Sequence, residues 1–151
     1  MRERLQEALK AALKAKEKRA VATLRLILAA LKDRDIAART KDGNQDGIDD
    51  NEILKMLQTM IKQRRDSIEL YEKGGRLDLA EQEAEEIAVI ERFLPRQMSA
   101  EEIAEAVDAL IAESGAESIK DMGRVMGALR ERYAGRMDFA KAGAAVKARL
   151  A

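Results

Sequence analysis

Apolar residues recur every three to four positions along nearly the whole chain, and Pro95 is the only proline to interrupt them. That spacing puts the apolar side chains on one side of an α-helix, whereas a strand would alternate them. Ala, Leu, Glu, Lys and Arg fill the positions between, and all are strong helix formers. A β-rich fold needs many turns, and turn-forming proline is almost missing. The chain therefore reads as all-α.

Seven helical segments follow from the pattern. The first runs roughly from Arg2 to Lys14, with Leu5, Leu9, Ala12 and Leu13 on one face. After the charged stretch Lys14 to Arg19, a second runs to about Ala38 on the stripe Val21, Leu24, Leu28 and Leu31, broadened by Ile27. Periodicity stops from Lys41 to Asp50, where Asp42-Gly43 and Asp46-Gly47 signal turns. Asp49 and Glu52 have capping-box spacing for a third helix, which buries Ile53, Leu57, Met60, Ile61, Ile68 and Tyr71 and stops at Gly74-Gly75. Asp78 and Glu81 repeat the cap for a fourth, reaching about Phe93 with Ala80, Ala84, Ile87, Ile90 and Leu94 inward. Pro95 blocks continuation.

A boundary at Arg96 to Met98 separates a four-helix N-terminal domain, 1–96, from a compact three-helix C-terminal domain, 97–151. Ser99 and Glu102 cap helix 5, which carries Ile103, Val107, Leu110 and Ile111 and ends at Gly115. Ser118 and Asp121 open helix 6, with Met122, Val125, Met126, Leu129 and Tyr133 inward. Gly135 ends it. Asp138 caps helix 7, whose inner face is Phe139, Ala142, Val146 and Leu150.

The 28 basic and 28 acidic residues cancel, but they are segregated. Residues 2–41 carry a net +7, and 53–76 a net +3. Residues 98–119 hold six acids and no base, and 120–151 a net +5. Such asymmetry suits either a nucleic-acid footprint or solvated helix faces linked by ion pairs.

Histidine, cysteine and tryptophan are absent. Thiolate catalysis, His-based proton relays and Cys- or His-ligated zinc are excluded. No phosphate loop, dinucleotide fingerprint or nucleophile elbow occurs. Acid pairs such as Glu85-Glu86 are expected on a solvated helix face without an evident pocket. The sequence thus assigns no catalytic residue, no metal site and no cofactor. The N-terminus lacks an apolar targeting core, and the longest apolar run, Leu26 to Leu31, is too short to span a bilayer. The expectation is a cytoplasmic protein with no membrane partner.

Three places invite a functional role. Asp42, Asn44, Asp46 and Gly47 resemble the first half of a calcium loop, with alternating oxygens for a hard cation. Glu52 falls one position short of the bidentate ligand, leaving a shorter cation loop of Asp42, Asn44, Asp46 and Asp50, or a plain turn. The arginines of Lys62-Gln63-Arg64-Arg65 suit a bidentate grip on phosphate or carboxylate, or Arg64, which borders the apolar stripe, pairs with a helix 4 acid such as Glu85 or Glu86. In Lys120-Asp121-Met122-Gly123-Arg124-Val125-Met126-Gly127, two glycines one turn apart imply a close approach. Helix 7, through Gly143 and Ala144, or an RNA backbone would supply it. Lys120 and Arg124 point to solvent, for phosphate contact or plain solvation.

The strings Lys62-Gln63-Arg64-Arg65-Asp66-Ser67-Ile68-Glu69, Ala84-Glu85-Glu86-Ile87-Ala88-Val89-Ile90 with Leu94-Pro95, and Lys120 to Gly127 resemble the GatB/YqeY family, as does Thr23-Leu24-Arg25-Leu26-Ile27-Leu28-Ala29. The resemblance covers essentially the whole chain. It implies a C-terminal unit similar to the tail domain of the B subunit of glutamine-dependent aspartyl/glutamyl-tRNA amidotransferase, which helps grip tRNA. The family's label, a carbon–nitrogen ligase with glutamine as amide donor, finds no chemistry in these residues. What the resemblance implies is a non-catalytic module for tRNA or other structured RNA. Phosphate contacts from Lys120, Arg124, Arg130, Arg136, Lys141 and Lys147 would supply its affinity. The alternative is an adaptor that docks an amidotransferase or aminoacyl-tRNA synthetase partner through the Gly/Ala-rich faces of helices 6 and 7.

Overall fold

The computed structural model describes residues 1–41 and 43–151. Among them the protein is all-helical, with seven α-helices and no strand: α1 (Arg2–Lys14), α2 (Lys18–Lys41), α3 (Asp50–Lys73), α4 (Leu77–Glu91), α5 (Ala100–Ser114), α6 (Met122–Arg132) and α7 (Phe139–Leu150). A 3₁₀ turn, Ile119–Asp121, leads into α6. The chain divides into two compact units, Met1–Leu94 and Pro95–Ala151.

In the first unit, Leu5, Leu24, Ile27, Ile53, Met56, Leu57 and Ile90 are the innermost side chains of one apolar cluster. Asp49 caps α3 by accepting the Glu52 N–H at 2.8 Å, and Gly75 leaves that helix at a left-handed φ of 71°. Two expectations fail on α4. Its N-cap is Arg76, with no side-chain cap, because Asp78 sits inside the first turn and pairs with the Arg76 guanidinium at 3.2 Å. Ala84 is exposed, while Glu86, Val89 and Phe93 are buried. The inner face is thus rotated toward Glu86. On α1, Leu13 is also left exposed, at 48%.

The stretch between α2 and α3 is fastened by a residue outside the calcium-like pattern. The Asp35 carboxylate accepts the Ile48 N–H at 2.9 Å and an Arg2 guanidinium hydrogen bond. Gly47, at φ 82°, lies against that carboxylate, and any Cβ there would overlap it.

In the second unit a separate cluster gathers Ile103, Val107, Leu110, Val125, Met126, Leu129, Met137, Ala142, Val146 and Leu150. Met137, fully buried, comes from the α6–α7 connection, which helical periodicity does not cover. The box at α5 is complete. Ser99 Oγ accepts the Glu102 N–H at 3.1 Å, and the Glu102 carboxylate accepts the Ser99 N–H at 3.1 Å. Gly115 closes the helix at φ 69°. Ser99→Ala is expected to cost about 1 kcal/mol, read by urea denaturation. The Ser99 N–H and then the Arg96 guanidinium hold the Glu102 carboxyl below its usual range. A depressed carboxyl stabilises above its unfolded pKa, so this support is lost as pH falls through the folded value.

Candidate functional site

All six cations expected to meet RNA lie on the second unit, and all are exposed. Their settings differ. Lys120, in the 3₁₀ turn, and Arg124, in the first turn of α6, point outward on the same side as Gly123 and Gly127. The opposite side of α6, Val125, Met126 and Leu129, is buried. A Cβ built on Gly123 or Gly127 would meet nothing within 4 Å. The packing role considered for these glycines is therefore wrong. Both face open space, whereas a Cβ built on Gly143 of α7 would lie 3.8 Å from the Met122 and Met126 methyl carbons, an ordinary packing contact. Angular position puts Gly123 and Gly127 on the arc of Lys120 and Arg124, away from the buried side of α6.

Asp121 organises this end of α6. Its carboxylate accepts the N–H groups of Glu117 at 3.0 Å and Ser118 at 3.3 Å, and Arg124 at 3.3 Å. The Glu117 and Ser118 N–H groups hold its carboxyl below the usual range, with Arg124 adding to them. Arg124 is thereby steadied at the surface with 58% of its side chain still exposed.

Arg130 stacks over the Phe139 ring at 5.9 Å, and Arg136 over Tyr133 at 6.0 Å. Both rings are half-buried, so they support guanidinium groups. Lys141 and Lys147 stand exposed on α7. Two further arginines are committed to carboxylates: Arg132 forks onto Glu113 at 2.6 and 2.9 Å, and Arg149 pairs with Asp108.

The first unit resolves the other two candidates. Arg64 Nε donates to Glu86 Oε2 at 2.8 Å and its Nη1 to the Met60 carbonyl at 3.1 Å. Of the two acids offered to it, Glu86 is the partner, and Glu85 takes Arg19 at 3.1 Å. In the would-be cation loop, Asp42 lies outside the described residues. Asn44 Oδ1 accepts the Asp46 N–H at 3.1 Å, an Asx turn, and Asp50 stands in the first turn of α3. Among the described residues no group of three or more acids converges on a metal position, and none of the helices is long and apolar enough to cross a membrane.

A family model described as Yqey-like protein matches residues 2–150. The chain belongs to the Yqey-like family. This Yqey-like chain is also similar to "Altered inheritance of mitochondria protein 41, mitochondrial" of two organisms. The Lachancea thermotolerans protein is 36% identical over 90 residues, 60% of this chain and 46% of the relative. The Eremothecium gossypii protein is 32% identical over 111 residues, 72% of this chain and 58% of the relative. The chain thus spans about half the length of the curated relatives it matches. These names correct the cytoplasmic expectation. That expectation rested on seeing no targeting segment, and an absence gives no address. The relatives carrying the Yqey-like sequence are named mitochondrial proteins.

Proposed function

We propose that this chain is a non-catalytic RNA-binding module, directed at tRNA or another structured RNA, with residues 97–151 as its binding domain and 1–96 as a separate helical domain. The observation that carries it is the outward face at the start of α6. Lys120 and Arg124 flank two glycines with open space above them. A sugar-phosphate backbone can approach a bare helix surface there while both cations reach phosphate oxygens. Arg130, Arg136, Lys141 and Lys147 extend the charge. Glu131, exposed one turn beyond Gly127, confines the most favourable part to the beginning of the helix. Base reading is weak in this scheme, because Tyr133 and Phe139 already lie under arginines.

A relation to tRNA amidotransferases would then run through RNA handling and not through amide transfer. The curated relatives' names support a mitochondrial setting for the same module. The second reading is an adaptor, with the open Gly123/Gly127 face receiving a helix of an amidotransferase or synthetase.

Titration of the full chain with tRNA at several salt concentrations tests the proposal. Lys120→Ala with Arg124→Ala should lower the salt slope by about 2, one per phosphate contact removed. Binding no tighter than to polyglutamate, or a slope unmoved by the pair of substitutions, would refute it.

A further inference from the structure

The proposed RNA surface uses only the second unit, yet the first unit presents a face that its own packing leaves unexplained. Helix α2 buries Ala20, Leu24, Ile27, Leu31 and Ala38 on one side. Its opposite side should then be polar. Instead Ala22, Leu26, Ala29 and Ile36 lie there at helical spacing, all exposed, with Leu26 at 49% and Ile36 at 48%, and Asp33 takes the turn between Ala29 and Ile36. The stripe runs for about 21 Å, four turns. Lys18, Arg25 and Lys32 line it. No carboxylate lies within ion-pair distance of them among the described residues, whereas Arg2 and Arg19 nearby are paired with Asp35 and Glu85. Where α2 meets the end of α1, Leu13, Val21 and Ala22 floor a groove of about 390 Å³ rimmed by Lys16, Lys18 and Arg25.

We infer that this face docks an acidic amphipathic helix of a partner protein. Anchors spaced at i, i+4 and i+7 are what a second helix needs to lie along the first. The small side chains of Ala22 and Ala29 permit close approach, and the unpaired cations select carboxylates beside the partner's apolar stripe. Other occupants fit less well. RNA would set phosphates against an apolar centre line. A symmetric second copy would bring like cations face to face, with Asp33 the sole acid on the line among the described residues. A membrane-surface helix draws on bulky and aromatic anchors, and this face has no aromatic residue. The chain's own acidic helix, α5, has its apolar positions Ile103, Val107 and Leu110 committed to the second unit's core.

The test uses the full chain and two synthetic helical peptides, each with leucines at i, i+4, i+7 and i+11, one flanked by glutamates and the other by lysines. The glutamate peptide should shift backbone amide signals between Ala22 and Ile36, and the lysine peptide should not. Arg25→Glu with Lys32→Glu should weaken the glutamate peptide about tenfold or more, with an unchanged helical circular dichroism spectrum. Leu26→Ser should weaken it at constant charge. Equal response to both peptides, no response to either, or shifts elsewhere would overturn the inference. So would sedimentation with phosphatidylcholine/phosphatidylserine vesicles that the same substitutions abolish, which would assign the face to a membrane.

Discussion

Glu86→Ala is expected to lower the stability of the first unit by about 3 kcal/mol in urea denaturation, a large loss for one carboxylate. The side chains of Arg64 and Glu86 are only 12% and 11% exposed, and their contact at 2.8 Å ties α3 to α4. Removing the acid strands a guanidinium in a site with little water, and that penalty exceeds the net worth of the pair. Glu83 limits the damage. Burial and then the Glu86 carboxylate push the Glu83 carboxyl up, while Arg64 pulls it down. Once Glu86 is gone, Arg64 still has Glu83 as a neighbour of opposite charge. Arg64→Met with Glu86→Leu should recover most of the loss, because neither charge is then left alone. A Glu86→Ala chain as stable as the parent would show that water reaches this pair freely.

Leu129→Ala should have a comparable effect in the second unit, about 3 kcal/mol. Leu129 is fully buried among Val107, Val125, Met137 and Val146. The consequence is larger than the number. A unit of about 57 residues has roughly 3–8 kcal/mol to lose, so this truncation removes much of it. Hydrogen exchange should accelerate at amides of α5, α6 and α7 and stay slow around Leu57 in α3. Uniform acceleration along the whole chain would mean that the two clusters fold as one.

Helix ends were legible because caps are local chemistry. Asp49, Ser99, Asp138 and Gly115 act within three or four residues of themselves, and the structure uses each where the sequence places it. The errors share a different cause. Asp78 has the right spacing for a cap, but Arg76 takes its carboxylate and begins the helix earlier. Apolar periodicity places Ala84 inward because it does not anticipate a buried carboxylate. Glu86 fills that arc once Arg64 arrives from 22 residues away. Phe93 and Met137 are buried just outside helices, where a helical period has no meaning. Within the candidate site, the exposure of Arg124, Arg130, Lys141 and Lys147 could be read from their angular positions on α6 and α7, whereas Arg136 lies in the connection between them. The open space above Gly123 and Gly127 could not be fixed by local sequence alone, since it depends on what other helices leave uncovered.

The tyrosines have a practical consequence. Tyr71 belongs to α3 in the first unit, and Tyr133, beneath Arg136, to the second. With no tryptophan in the chain, these two phenols dominate its ultraviolet emission. Tyr133→Phe leaves a fluorophore in one unit only, and Tyr71→Phe leaves one in the other. The pair of single-tyrosine proteins makes each unit optically separate, so a ligand can be assigned to one of them by emission alone.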